Sequence, residues 1–132
     1  MPSMMPKRSP NERRALARMV TTLFNHWALD EDESLAMLGM TKASCHWLTR
    51  YRKGEPLSAN RDMLDRAGHL LAIHKTLRLM FPHERDRAYR WIRTHNRTFD
   101  QLTPAEVIVE YRFPGLLMVR TDLDRARAQP PY

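Results

Sequence analysis

Apolar residues recur three and four positions apart along most of this chain, and this spacing predicts helices rather than strands. The clearest apolar stripe consists of Leu16, Met19, Val20, Leu23, Phe24 and Trp27. The short β-branched run at positions 107–109 follows a helix-capping sequence, so it is also expected to be helical. The sequence therefore predicts an all-α fold. Its 132 residues, 42% of them hydrophobic, suffice for one domain or two small packed domains.

Capping residues divide the chain into successive helices. The predicted N-caps of the first four helices are Ser9, Asp30, Thr41 and Ser58. Gly39 is expected to end the second helix in the left-handed conformation. The fourth helix should extend to Phe81, where Pro82 ends it, and its apolar residues cover more than one face. We therefore expect it to be the central, largely buried helix.

Three more helices are predicted in the second half of the chain. A helix of about a dozen residues should follow Pro82, bury Trp91 and end at Asn96. Positions 103–106, like positions 9–12, have the sequence of a capping box. The last helix should begin near Pro114 and bury Leu116, Leu117, Val119 and Leu123.

The charge is distributed unevenly. The formal net charge is +7, and residues 1–97 carry +8 whereas residues 98–132 carry −1. A basic front part suits a polyanion such as nucleic acid, and a slightly acidic back part suits a different partner. The alternative is that these charges only solvate the surface, which applies also to the acidic run at residues 30–33.

The sequence gives little support to catalysis. The six histidines lack metal-ligand spacing, the single cysteine is Cys45, and the four glycines are too far apart for a phosphate loop. We therefore predict no catalytic residue, no metal and no cofactor. No apolar run approaches the roughly 20 residues of a membrane span, and the polar start resembles no signal peptide. The expected location is the cytoplasm, without membrane contact.

Residues 30–54 have the spacing of a helix-turn-helix: a helix with an acidic start, a Gly-Met-Thr turn and a short basic helix. The predicted DNA-binding residues are Thr41, Lys42, Ser44, His46, Arg50, Arg52 and Lys53. Trp47 and Leu48 are expected to face inward, and His46 suits partial burial as well as DNA contact. The alternative interpretation is a plain packing unit of short helices.

Five features, taken in order, resemble the Xre/MbcA/ParS antitoxin family over roughly residues 20–127. They are the helix-turn-helix; Ile73, Leu77 and Phe81; Trp91, Ile92 and Asn96; Thr103, Pro104 and Glu106; and Leu116, Val119, Arg120 and Leu123. The chain departs from the family pattern at Gln101, where Gly is usual, and at its C-terminal tail.

The resemblance implies a basic arm at residues 1–12, an Xre-like helix-turn-helix DNA-binding domain at 13–68 and a toxin-binding domain at 69–132, sharing the long central helix. It implies an antitoxin of a type II toxin–antitoxin system. The antitoxin would occlude the active site of a RES-domain toxin that consumes NAD. It would also repress its own operon by binding operator DNA, as a homodimer or a larger assembly with the toxin.

On this resemblance, the expected toxin-binding residues are Tyr111, Arg112, Phe113, Arg120, Asp122, Asp124, Arg127 and Tyr132. Acidic side chains would suit a toxin cleft that is cationic because it binds the phosphates of NAD. Alternatively, Asp122 and Asp124 form surface ion pairs with Arg125 and Arg127, and Tyr111 and Phe113 belong to the core.

Two other classes of protein remain open from the sequence. One is a stand-alone helix-turn-helix transcription regulator, which would bind DNA without any effect on NAD. The other is a protein-binding module with a degenerate helix-turn-helix, which would bind a protein partner but no DNA.

Overall fold

The computed structural model describes residues 8–128, and within this range it contains helices and no strand. The α-helices are α1 Pro10–His26, α2 Glu31–Met37, α3 Cys45–Arg52, α4 Arg61–Met80, α5 Arg85–Arg90 and α6 Pro104–Ala128. Short 3₁₀ turns occupy Lys42–Ser44, Trp91–Arg93 and Arg97–Phe99. The predicted all-α fold is confirmed. In the described part of the chain, no helix combines the length and apolar character needed to cross a bilayer.

The first two helices begin at their predicted caps. The Ser9 hydroxyl accepts a hydrogen bond from the Glu12 amide at 3.1 Å. Asp30 and Glu33 form a complete capping box at the start of α2. Gly39 has a φ of 68°, the left-handed value predicted for the residue that follows this helix.

The next two predicted caps differ from the structure. Thr41 occupies the N-cap position of the 3₁₀ turn Lys42–Ser44, which leads into α3, but its side chain makes no capping hydrogen bond. The cap of α4 is Asn60, whose side-chain oxygen accepts from the Asp62 amide at 2.8 Å. Ser58 instead accepts from the Asn60 amide at 3.1 Å, so it orders the turn before the helix.

The buried apolar side chains form one cluster to which all six α-helices contribute. Helix α4 contacts α1, α5 and α6, and α2 also packs against α6. Residues 30–54, which were predicted to form a helix-turn-helix, and the C-terminal helices therefore share one core. The division that the sequence suggested between residues 68 and 69 falls inside α4, and we retain it as a proposal.

Some apolar side chains predicted to be buried are exposed instead: Met19, Trp47 and Leu117. Each lies beside a buried stripe rather than on it. On α3, for example, Leu48 and Tyr51 face the core, and Trp47 lies at the edge of that face. Spacing alone defines the centre of an apolar face better than its width.

The helix after Pro82 is shorter than predicted. Helix α5 ends at Arg90 and tightens into the 3₁₀ turn Trp91–Arg93, so Asn96 lies beyond it. Ile92 is fully buried, whereas Trp91 is only half-buried. The predicted full burial of Trp91 is therefore wrong.

Because Trp91 keeps part of its surface in water, Trp91→Ala is expected to lower the free energy of unfolding by about 2 kcal/mol, less than the ~3–5 kcal/mol typical of a buried tryptophan. Ile92→Ala, at the neighbouring fully buried position, is the control and should cost ~2–5 kcal/mol. Urea denaturation would measure both. A cost for Trp91→Ala well above about 3 kcal/mol would contradict its half-buried placement.

The loop before α6 contains Gln101, where the antitoxin family that the sequence resembles usually has glycine. Gln101 has a φ of 71°, so it adopts the left-handed conformation that glycine accommodates most easily. Its backbone N–H donates to the backbone carbonyl of Asn96 at 2.9 Å, and the backbone N–H of Asn96 donates to the backbone carbonyl of Leu102 at 3.1 Å. The predicted capping box then follows, with reciprocal bonds between Thr103 and Glu106 of 2.8 and 3.0 Å.

Helix α6 consists of two helical halves that meet at Arg112, whose φ of 58° and ψ of −131° are not helical. Such a backbone conformation is strained for a residue with a side chain. Gly115 lies just after this kink and is buried. A Cβ at Gly115 would collide with the Val107 carbonyl oxygen and lie 3.1 Å from the Ile108 Cα. The absence of a side chain therefore allows the two halves to touch.

Gly115→Ala is expected to lower the free energy of unfolding by about 3 kcal/mol or more, because the added methyl group meets backbone that cannot swing away as a side chain would. Gly68→Ala is the matched control. Gly68 is an exposed residue of α4 with open space around it, so alanine should stabilise the helix by ~0.5–1 kcal/mol. Thermal melting would compare the two, and equal melting temperatures would contradict the close approach at Gly115.

Candidate functional site

The outward face of α3 carries a group of polar and basic side chains. Leu48 and Tyr51 attach the helix to the core and α3 packs on α1, so the opposite side faces solvent. The side chains on that side, at intervals of three and four residues, are His46, Thr49, Arg50 and Lys53. All four are exposed. A rigidly held helix with such a face suits insertion into a DNA groove.

The structure brings some of the predicted DNA-binding residues together and separates others. His46, Arg50 and Lys53 share the outward face, whereas Arg52 is exposed beside Leu48. His46 is exposed, so its predicted alternative of partial burial is wrong. Thr49 belongs to the same face and was not predicted, although its spacing from His46 and Lys53 would have indicated it.

Ser44 lies in a different environment. It is half-buried and lines a cleft of about 530 Å³ together with Trp47, Tyr51 and Arg13. Trp47 is exposed at this cleft, and the guanidinium carbon of Arg50 lies 4.8 Å from the centre of its indole ring. This cation–π contact holds the Arg50 side chain along the helix.

Thr41 and Lys42 lie at the turn before α3 and line another cleft, beside Gly39 and Arg66. The Lys42 ammonium is 3.6 Å from the Asp32 carboxylate, an exposed ion pair worth little in water. Lys42 can therefore exchange this contact for a phosphate at small cost. The predicted residues thus form two neighbouring groups, one on the face of α3 and one at the turn.

Arg66 of α4 connects this turn with the second half of the chain. It is buried, and its Nε donates to the Asp62 carboxylate at 2.9 Å. Its guanidinium carbon lies 5.3 Å from the centre of the Phe113 ring, and a Cβ at Gly39 would strike the same guanidinium. Nothing in the sequence indicated that this arginine packs between the turn and α6.

The predicted toxin-binding residues at the kink of α6 differ in exposure. Tyr111 is exposed, so its alternative assignment to the core is wrong. Phe113 is half-buried and packs edge-on against the His69 ring, with centres 5.6 Å apart. Arg112 is exposed at the kink itself. Only Tyr111 and Arg112 present most of their side chains to a partner here.

Arg120 is engaged within the chain. Its Nη1 lies 2.6 Å from Nδ1 of His69, and since a guanidinium only donates hydrogen bonds, that imidazole nitrogen accepts. Burial, followed by the positive charge of Arg120, lowers the pKa of His69, in agreement with a neutral ring. Arg120 also lies 3.9 Å from the Asp124 carboxylate. Asp124 therefore pairs with Arg120, and the alternative pairing with Arg127 is wrong.

Asp122 lies partly buried at a shallow groove of about 380 Å³ on the outer side of α6. Burial raises the pKa of its carboxyl, and the nearby charge of Arg125 opposes this increase. The other residues that line the groove are Thr98, Phe99, Leu117, Met118, Thr121 and Arg125. Asp124 and Arg127 are exposed, and Tyr132 lies outside the described residues.

The carboxylate of Glu106 serves a structural role at the start of α6. Hydrogen bonds from the backbone and side chain of Thr103 lower the pKa of this exposed group. Between residues 8 and 128, no three His, Cys, Asp or Glu side chains are grouped so that they could hold a metal ion.

Part of the chain is similar to a known family of protein domains. Residues 76–128 match the family model described as the antitoxin Xre/MbcA/ParS C-terminal toxin-binding domain. The match begins inside α4 and includes all of α5 and α6. The second half of this fold is thus a toxin-binding domain, and a toxin is its partner.

The whole chain also has a relative. It is 32% identical over 126 residues to the "Uncharacterized protein y4oB" of Sinorhizobium fredii (strain NBRC 101917 / NGR234), and the alignment covers 96% of this chain and 92% of that protein. The chain belongs to the same family as this protein, and its residues 76–128 match the toxin-binding domain of the Xre/MbcA/ParS antitoxins.

Proposed function

We propose that this chain is the antitoxin of a type II toxin–antitoxin system, that its toxin is a RES-domain enzyme that consumes NAD, and that the chain represses its own operon. The observation that carries this proposal is the toxin-binding domain in the same fold as an exposed basic helix. One protein with both surfaces can bind a toxin and DNA together. We assign it no catalytic residue, metal or cofactor.

The proposed DNA-binding domain is residues 13–68, with the basic arm 1–12 preceding it. The base edges of operator DNA would contact the outward face of α3, and the DNA phosphates would contact the turn before α3. The proposed contacts are Thr41, Lys42, Ser44, His46, Arg50, Arg52 and Lys53, and we add Thr49 because it is exposed on the same face of α3. The +8 charge of residues 1–97 supports attraction of this part of the chain to DNA.

The proposed toxin-binding domain is residues 69–132, and its last helix would block the toxin's active site. A cleft that binds the phosphates of NAD is cationic, so the carboxylate of Asp122 or Asp124 would offset its charge. Tyr111 and Arg112, exposed at the kink, supply a second contact region with Phe113 behind them. Arg120, Arg127 and Tyr132 complete the proposed set.

We further propose that the chain acts in the cytoplasm as a homodimer or as a larger assembly with its toxin. A symmetric assembly would place two copies of α3 on one operator and strengthen binding. In such an assembly the toxin would cover the α6 side of each copy while α3 remained free.

Coexpression with the product of the neighbouring reading frame tests the proposal. The neighbouring product alone should deplete cellular NAD, and the chain should restore NAD and copurify with it. The chain or its complex should also bind the DNA upstream of the operon. Binding to DNA without any effect on NAD would instead identify a stand-alone transcription regulator, and copurification without DNA binding would identify a protein-binding module.

A further inference from the structure

Two adjacent apolar side chains are exposed on the outer side of the last helix. Leu117 has 38% and Met118 has 45% of its surface in contact with water. Their neighbours Leu116 and Val119 face the core and are fully buried. This half of α6 is therefore apolar on two sides, and the core uses only one of them.

These two side chains are part of a groove rather than isolated on the surface. Phe99, in the 3₁₀ turn Arg97–Phe99, lines the groove with them and gives it an apolar floor. The groove of about 380 Å³ can hold one or two side chains of a partner. The other four lining residues are polar, and apolar side chains beside polar groups are typical of protein interfaces.

One end of the groove carries charge. Asp122 is partly buried there, and among residues 8–128 it forms no ion pair. Burial of this carboxylate is unfavourable, as the increase in its pKa reflects, and the nearby charge of Arg125 offsets only part of that cost. A basic side chain of a partner would offset that cost.

We propose that the toxin docks on this groove and places an apolar side chain against Phe99, Leu117 and Met118, with a basic side chain beside Asp122. This inference rests on the proposed antitoxin function and names the surface that it uses. Every residue that lines the groove lies within the toxin-binding domain of residues 76–128. Other exposed apolar side chains of the same domain, Leu79 and Tyr111, do not line it.

Charge favours the toxin over the other possible occupants. DNA would bring phosphates against Asp122 and gain nothing from an apolar floor. A toxin with a cationic cleft for NAD can supply the basic side chain from the rim of that cleft. The groove would then fix α6 beside the cleft, and the residues after it would lie within reach of the active site.

The test compares two variants of equal chemistry. Leu117→Ser together with Met118→Ser should weaken binding to the purified product of the neighbouring reading frame by about thirty-fold or more, as expected for the centre of an interface. Met19→Ser together with Leu79→Ser is the control, because these residues are 48% and 50% exposed and lie outside the groove. The control should bind within about threefold of the original chain. Calorimetric titration would measure both.

A charge series tests the second half of the proposal. Asp122→Asn should weaken toxin binding severalfold and reduce its dependence on salt, and Asp122→Lys should weaken it further. Circular dichroism and operator binding of each variant should equal those of the original chain. If the double serine variant fails to fold, a photo-crosslinking residue at position 118, compared with one at position 19, gives the same information.

The outcomes separate this inference from the proposed function. If the original chain binds the toxin and the double serine variant binds equally well, the groove is not the docking surface and the antitoxin function stands. If the original chain does not bind, both are wrong. If the double variant loses self-association in sedimentation experiments and keeps toxin binding, the groove joins two copies of this chain, and the proposal is overturned.

Discussion

Removal of residues 124–132 is expected to abolish protection of NAD from the toxin while the shortened chain stays folded. The last buried side chain of α6 is Leu123, and all side chains of residues 124–128 are exposed. The deletion breaks the exposed ion pair between Arg120 and Asp124, whose groups are 3.9 Å apart and which contributes little stability. The truncation therefore removes Asp124, Arg127 and Tyr132 of the proposed toxin-binding set, keeps Arg120 and Asp122, and does not open the core.

Toxin-catalysed NAD loss, with either chain added in excess, measures this effect. Circular dichroism and operator binding show that the shortened chain is intact. Deletion of residues 1–7, a similar length at the other end, is the control and should leave protection unchanged. If the chain shortened at its C-terminus still inhibits fully, occlusion by this end is wrong, and Tyr111, Arg112 and Phe113 are the next candidates.

The truncation also distinguishes docking from occlusion. The groove at Leu117 and Met118 remains after residue 123, although Arg125 at its edge is removed. The shortened chain should therefore still bind the toxin, with weaker affinity, and fail to block it. Loss of all binding would instead mean that the end of the chain supplies most of the interface.

Replacement of Lys42, Ser44 and Arg50 by alanine is expected to weaken specific operator binding by a factor on the order of 10²–10⁴, because each base-edge contact is worth ~1–3 kcal/mol and each phosphate contact less. Arg50 projects from the outward face of α3, so we expect its replacement to cause the largest part of the loss in operator affinity. None of the three side chains is buried, and the fold should therefore persist.

Fluorescence anisotropy with operator and unrelated DNA, at several salt concentrations, measures this loss. The salt slope should decrease by about two, because two cations are removed. Arg85→Ala together with Arg87→Ala removes the same charge from exposed positions on α5 and is the control. Its effect should be small and equal for both DNAs. Unchanged affinity and slope in the triple variant would show that α3 does not read DNA.

The sequence by itself determined the local structure. The Asp30 cap, the capping box at Thr103 and the left-handed Gly39 are present as predicted, because each depends on residues only three or four positions apart. The buried stripe of α1 was likewise largely predictable. The same locality explains the recognisable order of motifs, since helix ends and apolar spacings persist wherever the helices pack.

Only the tertiary structure decided which of the predicted faces are covered. Trp47 and Leu117 belong to apolar segments, yet the neighbouring elements cover Leu48 and Leu116 instead. The position of a residue relative to a distant helix depends on contacts across the fold, and spacing along one helix does not contain that information.

The candidate surfaces show the same division. The basic face of α3 could be read from the sequence because His46, Arg50 and Lys53 are close along one helix. The groove on α6 could not, since it needs Phe99 from another segment beside Met118. The same holds for Arg66, which packs between Gly39 and Phe113. Periodicity fixes a helix and its faces, but a site built from separate segments exists only once those segments have packed.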